Sequence, residues 1–505
     1  MKRFWMVLLS LGLVMAFSVS AFAVDVKVSA DYYVGGLYLN KVNVNSTDSV
    51  TVLFPADPTV KPPSVRYLPS DISTAFFYQR LRVGTDFIVS PGLKLVTRFD
   101  ALERIWGGAR SNVWQVNATE PTMSAGTRAE SENIAFDVAY IDYTSPIGKF
   151  EVGYMPDSTW GTVFGNDSTG PTVGLIKWSA PVGPVILLAN FAKLADNSSS
   201  AVSTQSWYWY NNVMANKTDR DTDSYRAGFI YPFKNEKANG QAGALFIYSR
   251  DASNRGRANW VMPFPGAYGQ LAFLSRSYKI MPYFKANIGP VALQGEINYQ
   301  WGDAVSAEYG VPFTNSDKRI DSLSAFLDAT AKFGMFTVGG TFAYVQGDDN
   351  IMDGVVHDAN TGGIDFNPCL LMFNYDTVQY WIGGINGWNL PGLNTTSVGG
   401  PMKNAWFLQG RVGASPTPKL DLLASLSWAT ADKKPEIAPY SGVHFPNGGY
   451  GFEIDLTGTY KITNNLSYML GAGYLFTGDY FKGYGVPGMD VQDDFILINK
   501  LTLSF

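Results

Sequence analysis

The fold is decided by residues 291–301, which read VALQGEINYQW. Every second residue of this stretch is apolar, aromatic or glycine, and the residues between them are alanine, glutamine, glutamate or asparagine. A period of two residues is that of a β-strand with one face in an apolar environment and the other in a polar one. An amphipathic helix would instead repeat its apolar residues every three or four positions. The stretch therefore predicts a strand exposed to different surroundings on its two faces.

The same alternation recurs in many segments of the chain. In residues 452–461, Phe452, Ile454 and Leu456 oppose Glu453 and Asp455, and further examples are residues 225–233, 278–288, 336–345, 420–428 and 466–476. Charged residues make up 16% of the chain and aromatic ones 14%, whereas a soluble domain averages about 25% charge. After residue 23, no segment has the ~18 consecutive apolar residues of a membrane-spanning helix. Since lipid offers no hydrogen bonds to strand edges, the pattern predicts a closed transmembrane β-barrel.

The connections between the predicted strands alternate between short and long. Eight tight turns are predicted from Gly, Pro and Asn residues near 90–92, 146–148, 182–183, 234–239, 289–290, 333–334, 417–418 and 463–465. Nine longer polar connections are predicted near 41–71, 107–131, 161–172, 197–221, 253–275, 304–319, 349–402, 432–448 and 479–491. Together they predict an all-β, antiparallel, up-and-down barrel of eighteen strands with both termini on the periplasmic side.

Sixteen or twenty strands stay open as alternatives, for two reasons. In region 132–181, strict alternation places Asp142 on the outward face. Connection 349–402 contains Leu370–Asn374 and Tyr380–Ile385, which could form one more hairpin. A long connection of this kind often folds back into the mouth of a barrel, where its aromatic side chains either pack on the wall or stack on a sugar ring.

Both ends of the chain carry export signals. Lys2 and Arg3 precede an apolar run over 4–17 and the small-residue site Ala21-Phe22-Ala23, so residues 1–23 are predicted to be a cleaved signal peptide and residues 24–505 the barrel. The last amphipathic segment ends on Phe505, which resembles the signal that barrel-assembly machinery recognises in outer-membrane proteins. The bacterial outer membrane is the predicted location.

The mature chain resembles the eighteen-strand porin and alginate-export type of barrel in its length and hairpin rhythm. Residues Arg80-Leu81-Arg82-Val83-Gly84, Gly153-Tyr154-Met155-Pro156 and Trp160-Gly161-Thr162 are similar to segments of uncharacterised porins from deltaproteobacteria. The resemblance implies a water-filled channel for passive diffusion of small hydrophilic solutes. The alternative left open is an export conduit or sheath for an acidic polysaccharide or a partner protein.

Inward-facing charges are the candidate functional residues. The predicted pore-lining residues are Arg80, Arg82, Asp86, Lys94, Arg98, Asp100, Arg104, Lys285 and Glu296. On the second and third strands, five of these are basic and two acidic, which predicts a wall that weakly favours anions. The competing interpretation is that arginines and carboxylates form ion pairs across strands and leave little net selectivity.

Other functions have little support in the composition. His357, His444 and Cys369 are the only histidines and cysteine, so we expect no catalytic centre, metal site or cofactor. Without the leader the chain has 36 basic and 43 acidic residues, which disfavours a nucleic-acid partner. The expected partners are outer-membrane lipid, lipopolysaccharide, the barrel-assembly machinery and small solutes, and monomer and homo-oligomer are both left open.

Overall fold

A computed structural model describes residues 24–44, 72–107, 134–157, 159–168, 170–197, 219–254, 273–307, 317–350, 353–385, 398–434, 447–482 and 490–505. The predicted signal peptide, residues 1–23, lies outside the described residues, as do His444 and parts of the long connections. The predicted fold class is confirmed, because the described residues form a barrel wall of eighteen antiparallel strands.

The first nine wall strands are β1 (Asp25–Leu39), β2 (Thr74–Ser90), β3 (Leu93–Ile105), β4 (Ile134–Ser145), β5 (Gly148–Pro156), β6 (Thr172–Val182), β7 (Val185–Ala195), β8 (Thr222–Lys234) and β9 (Ala238–Asp251). The other nine are β10 (Phe273–Ile288), β11 (Val291–Ala307), β12 (Lys318–Phe333), β13 (Phe336–Val345), β14 (Ala405–Thr417), β15 (Leu420–Ala431), β16 (Gly449–Lys461), β17 (Leu466–Thr477) and β18 (Asp494–Ser504). The eight predicted tight turns connect successive strands at one end, the turn end. The long connections lie at the other end, the loop end.

The barrel is closed by pairing between its first and last strands. Asp31 of β1 lies opposite Ser504 of β18, and Leu39 lies opposite Ile496, while β1 pairs along its whole length with β2. Each wall strand thus has a neighbour on both sides. The backbone donors and acceptors of the wall are satisfied within the sheet, as a spanning structure in lipid requires.

The outer surface of this wall is apolar. In β11, Ile297 is 50% exposed and faces outward, while its neighbours Glu296 and Asn298 are 2% and 1% exposed and face inward. Leucine, isoleucine, valine and phenylalanine side chains are exposed in the same way on the outer faces of the other strands, as at Leu426 and Leu470. Soluble monomers do not have so continuous an apolar surface. It is the surface of a protein that is surrounded by lipid.

Aromatic rings form a row on the outer surface across four neighbouring strands. Tyr225, Tyr248, Tyr278 and Trp301, on β8 to β11, have successive ring-centroid distances of 6.2, 5.2 and 5.8 Å. Such rings are typical of the level at which lipid headgroups meet the hydrocarbon.

The prediction that Asp142 faces outward is wrong. The pairing of β3 with β4 shifts between Arg98, opposite Val138, and Phe99, opposite Phe136, and leaves Asp137 as an extra residue. A β-bulge of this kind reverses the alternation on either side of itself. Asp137 and Asp142, which strict alternation would put on opposite faces, therefore both contact basic side chains of the inner wall.

The twenty-strand alternative is also wrong for the described part of the long connection. Residues Tyr375–Ile382 form a short, wide helix that begins after Asn374 and ends at Gly383, whose φ is 85°. Asn374 caps it, because its side-chain oxygen accepts hydrogen bonds from the N–H groups of Thr377 and Val378. A two-residue strand, Val355–Val356, lies parallel to β12, and a 3₁₀ turn covers Asp479–Lys482. In the described part of the chain, no helix is long and apolar enough to cross a membrane.

The main hydrophobic core lies inside the barrel at its loop end. It contains side chains of residues 346–350, 353–385 and 398–404, which we call the long infolded loop, packed against the ends of the wall strands. Leu371, Met372 and Val378 of this loop are almost fully buried, as are Phe407 and Ile496 of the wall. Full burial of one such side chain stabilises by about 1.5–3 kcal/mol. The loop is therefore a fixed part of the folded protein, and it occupies much of the lumen there.

Candidate functional site

A buried carboxylate of the wall holds the long infolded loop. Glu453 of β16 is fully buried, and its Oε1 and Oε2 accept hydrogen bonds from the backbone N–H groups of Leu371 and Met372 at 2.6 and 2.7 Å. These two N–H groups have no partner in a strand or helix. By accepting their hydrogen bonds, the carboxylate removes the free-energy cost of burying two unpaired donors. The inward orientation of Glu453 follows from strand alternation, but its role as an anchor does not.

A second carboxylate holds residues 157–171, the short infolded loop between β5 and β6. Oε2 of Glu296 accepts hydrogen bonds from the N–H and the hydroxyl of Thr162 at 2.7 and 2.9 Å. The loop lies so close that a Cβ at Gly165 would be 1.8 Å from Oε1 of Glu296, and one at Gly161 would be 2.3 Å from Oε2. Glu296, a predicted pore-lining residue, therefore faces inward but lies beneath the short infolded loop.

Gly165→Ala is expected to displace the short infolded loop, because the new methyl group would overlap the carboxylate of Glu296. The matched control is Gly410→Ala in β14, where an added Cβ has nothing within 4 Å. Thermal unfolding in detergent should show a loss of about 1–3 kcal/mol for Gly165→Ala, the usual cost of overpacking, and little change for the control. Equal stability of the two variants would mean that the loop does not rest on Glu296.

The two infolded loops contact each other and together form a partition inside the barrel. The N–H of Gly363 donates to the carbonyl oxygen of Phe164 at 2.6 Å. The ring of Phe164 is stacked on Phe326 of the wall with centroids 5.2 Å apart and meets Phe366 of the long loop edge-on at 5.3 Å. Asp167 Oδ1 accepts from the N–H of Ile364 at 2.7 Å. Burial raises the pKa of Asp167, and the N–H of Ile364 partly opposes this rise.

Ion pairs cover the wall opposite this partition. Arg82 donates from Nε and Nη2 to the two oxygens of Asp100, each at 2.7 Å. Arg98 donates from Nε and Nη2 to Oδ2 of Asp137 at 3.0 and 2.6 Å. Arginine with both donors on one carboxylate is a strong, geometrically fixed pair. The wall predicted to favour anions therefore contains carboxylates in direct contact with its arginines.

The pairing extends along β2 and β3 in both directions. Nζ of Lys94 lies 2.8 Å from Asp86 and 3.6 Å from Asp142, and Nη1 of Arg80 lies 3.5 Å from Glu103. We call Arg80, Arg82, Lys94 and Arg98, with Asp86, Asp100, Glu103 and Asp137, the charge ladder. It contains four cations and four anions, so its net charge is close to zero.

Two irregularities of the sheet account for the carboxylates that alternation missed. The bulge brings Asp137 inward, and Leu102 has a φ of 51° where the pairing of β2 with β3 shifts. Beyond this shift Glu103 contacts Arg80, although its sequence parity is that of the outward residues. Arg104, a predicted pore-lining residue, pairs with Gln79, which shares its strand face with the exposed Phe77 and not with the buried Tyr78. The shift therefore turns Arg104 to the outward face, and its predicted inward placement is wrong. Lys285 of β10 lies near the turn end, 6.0 Å from the ring centre of Tyr283.

A cavity of about 460 Å³ separates the charge ladder from the long infolded loop. We call it the ladder cavity; the wall contributes Arg80, Arg82, Asp100 and Asp137, and the loop contributes Asp365, Asn367, Tyr375, Asp376 and Tyr380. Burial and the neighbouring carboxylate of Glu103 raise the pKa of Tyr380, so its hydroxyl stays neutral. The cavity offers donors, acceptors and two aromatic rings to a solute.

A second cavity, of about 290 Å³, borders the other side of the short infolded loop. We call it the lysine cavity, because Lys177 and Lys279 line it together with Arg226. Arg226 is paired with Asp157, but in the described part of the chain no carboxylate oxygen lies within 4 Å of Nζ of Lys177 or Lys279. The nearest polar contact of Lys177 is Oγ1 of Thr159 at 3.4 Å. Glu151, Asp157 and Asp167 also line the lysine cavity. Its three cations are therefore balanced by three carboxylates, but Lys177 and Lys279 face theirs at longer distance than the cations of the charge ladder do.

The ring of His357 is held in place by polar contacts. Its Nδ1 lies 2.7 Å from the carbonyl oxygen of Asp321 and 3.1 Å from the side-chain amide of Gln346. These contacts fix the ring at the base of the long infolded loop.

Comparison with known proteins gives structural similarity without sequence similarity. No family model matches the chain, and no curated protein matches it. Among solved structures, the outer membrane protein OpdK of Pseudomonas aeruginosa is 11% identical with a TM-score of 0.43, covering 95% of this chain and 99% of its own. OccK2 (OpdF) of the same species, in complex with glucuronate, is 11% identical with a TM-score of 0.44, and the match covers 96% of this chain and 99% of OccK2. A BenF-like porin of Pseudomonas fluorescens Pf-5 is 10% identical with a TM-score of 0.42, and the match covers 95% of this chain and 99% of that porin.

Scores and identities this low add no argument about family or substrate. The assignment rests on the closed wall, on its register between β1 and β18, and on the apolar outer surface with its row of aromatic rings. A closed sheet with a lipid-facing exterior and short turns at one end is the architecture of bacterial outer-membrane proteins. The chain folds as an eighteen-strand transmembrane β-barrel with the architecture of a bacterial outer-membrane protein.

Proposed function

We propose that the barrel is a passive channel for small hydrophilic solutes, with its narrowest part between the charge ladder and the long infolded loop. The observation that carries this proposal is the ladder cavity, a polar space of about 460 Å³ between the inner wall and the long infolded loop. Its volume lies in the range of small-molecule sites, about 300–1,000 Å³. The solutes are therefore small molecules and ions.

We further propose that anions pass somewhat more readily than cations. The support comes from the lysine cavity, because the charge ladder is close to neutral. Lys177 and Lys279 line this cavity without a direct ion pair among the described residues, and a charge acts over about 8 Å at physiological salt. Positive charge of this kind raises the local concentration of small anions.

Reversal potentials in a potassium chloride gradient test the preference. The wild-type channel is expected to favour chloride, and a Lys177→Gln, Lys279→Gln variant is expected to lose most of that preference. Lys461→Gln is the matched control, since Lys461 is paired with Asp421 at 3.0 Å near the turn end and both side chains are about half exposed. A cation-selective wild-type channel would contradict the proposal.

An export conduit or sheath for a partner protein or an acidic polysaccharide is less favoured. Its lumen would have to be empty enough for a chain to thread, and the loop end is occupied by an apolar core that includes Phe164, Leu371 and Trp381. Purification in mild detergent distinguishes the two functions. A channel is expected to be isolated alone or as a homo-oligomer, and a stoichiometric partner would favour the conduit.

Phe505 is proposed as the residue that the barrel-assembly machinery recognises. It follows the last residue of β18, is 64% exposed, and pairs through its backbone with Ala30 of β1. Phe505→Ala is expected to lower the amount of heat-modifiable barrel in the outer membrane while leaving in vitro refolding into detergent unchanged. Equal loss in both assays would indicate a structural role instead.

A further inference from the structure

Three potential metal ligands meet beneath the long infolded loop. Glu453 and Asp455 occupy neighbouring inward positions of β16, and Cys369 of the loop lies against them. One sulfur and one carboxylate oxygen from each acid all lie within 4.8 Å of one another. Cys369, Glu453 and Asp455 are 3%, 0% and 5% exposed. This cluster lines neither cavity and acts on the proposed channel only through the loop that Glu453 holds.

The existing contacts leave part of the cluster without a partner. Both oxygens of Glu453 accept backbone N–H groups of the loop, and Oδ2 of Asp455 accepts from the hydroxyl of Ser425 at 3.3 Å. Oδ1 of Asp455 is buried and has no hydrogen-bond partner. Among the described residues, no lysine or arginine nitrogen lies within 4 Å of either carboxylate. Two buried carboxylates side by side without a counter-charge are costly, because each has been removed from water.

A glycine lets the neighbouring strand approach the unpartnered oxygen closely. Residue 473 of β17 is glycine, and a Cβ there would lie 2.6 Å from Oδ1 of Asp455 and 3.0 Å from Cβ of Leu370. A larger residue at this position would displace the carboxylate of Asp455 or the long infolded loop.

We propose that Cys369, Glu453 and Asp455 bind one divalent transition-metal ion, with Zn²⁺ as the best match. A thiolate with two carboxylates is a mixed sulfur and oxygen donor set, which suits a borderline ion such as Zn²⁺ better than Ca²⁺ or Mg²⁺. The thiol releases its proton to solvent when the sulfur–metal bond forms, and the two positive charges of the ion offset those of the three anionic ligands. The ion would link the long infolded loop to β16.

Metal content of the purified barrel tests this directly. The full chain is refolded into detergent with Zn²⁺ present, passed through gel filtration to remove unbound ion, and analysed for zinc. We expect about one zinc per chain, as for a single structural site, and background levels for Cys369→Ser and Asp455→Asn. The matched control is Asp86→Asn, another inner-wall carboxylate, which should keep its zinc. Heat-modifiable migration on a gel verifies that each variant has folded.

Cobalt substitution gives a second measurement on the unmodified protein, which holds even if the variants fail to fold. Co²⁺ is expected to produce the thiolate-to-metal absorption band and to lose it when Zn²⁺ is added in excess. Zinc in the wild type no higher than in Cys369→Ser, or a cobalt spectrum without a thiolate band, would overturn the proposal. The two carboxylates would then hold one proton between them and keep a single negative charge.

Discussion

Replacement of residues 363–400 by a short glycine-serine linker is expected to raise the single-channel conductance several-fold. These residues supply Leu371, Met372, Val378 and Trp381, which fill the loop end of the lumen. An eighteen-strand barrel is too wide for wall side chains alone to fill it, so the infolded segment sets the width of the passage. Planar-bilayer recordings of the variant and of the wild type measure the difference.

The control for this deletion is Gly410→Ala, which changes the wall without contacting the loop. Its conductance should equal that of the wild type. If the deletion variant folds, as its heat-modifiable mobility would report, and still conducts like the wild type, the long infolded loop is not the constriction.

Asp100→Asn combined with Asp137→Asn is expected to convert a weakly selective channel into a strongly anion-selective one. The two substitutions remove the counter-charges of Arg82 and Arg98 and leave two guanidinium groups beside the ladder cavity. Because the amide keeps the shape of the carboxylate, the passage should keep its width. The reversal potential in a salt gradient should move toward that of chloride while the conductance changes little.

Asp421→Asn serves as the matched control for the second prediction. Asp421 also pairs with a basic residue, Lys461, but it lies near the turn end and is about half exposed. Exposed pairs of this kind contribute little to the local field because salt screens them. An unchanged reversal potential in the double variant would show that the charge ladder does not line the path of the ions.

The wall was predictable because its chemistry is periodic. Each strand lies between lipid and a polar interior, so alternation such as that of residues 291–301 predicts both the strand and its facing, and Gly and Pro residues mark the turns. Strict alternation gave the wrong face for Asp142, and it would also have put Glu103 on the outward face. A bulge at Asp137 and a shift at Leu102 each reverse the alternation. No repeating pattern in the sequence marks the position of such an added residue.

The loops inside the barrel were predictable only in part, because their contacts follow no repeating sequence pattern. An inward fold of connection 349–402 was expected from its length, and packing of its aromatic residues on the wall is what Trp381 and Phe373 do. The short infolded loop was not predicted. It is held by contacts distant in sequence, between Thr162 and Glu296 and between Trp160 and Met281, and no local pattern reports such contacts.

Recording of the unmodified protein in a planar bilayer tests the central claim most directly. The claim is that the barrel is open, and that the infolded loops leave a narrow polar passage of the size of the ladder cavity. We expect discrete channels of small, stable conductance that pass ions and exclude polymers larger than small sugars. Absence of channels from a correctly folded barrel, or a conductance as large as that of the deletion variant, would contradict the account.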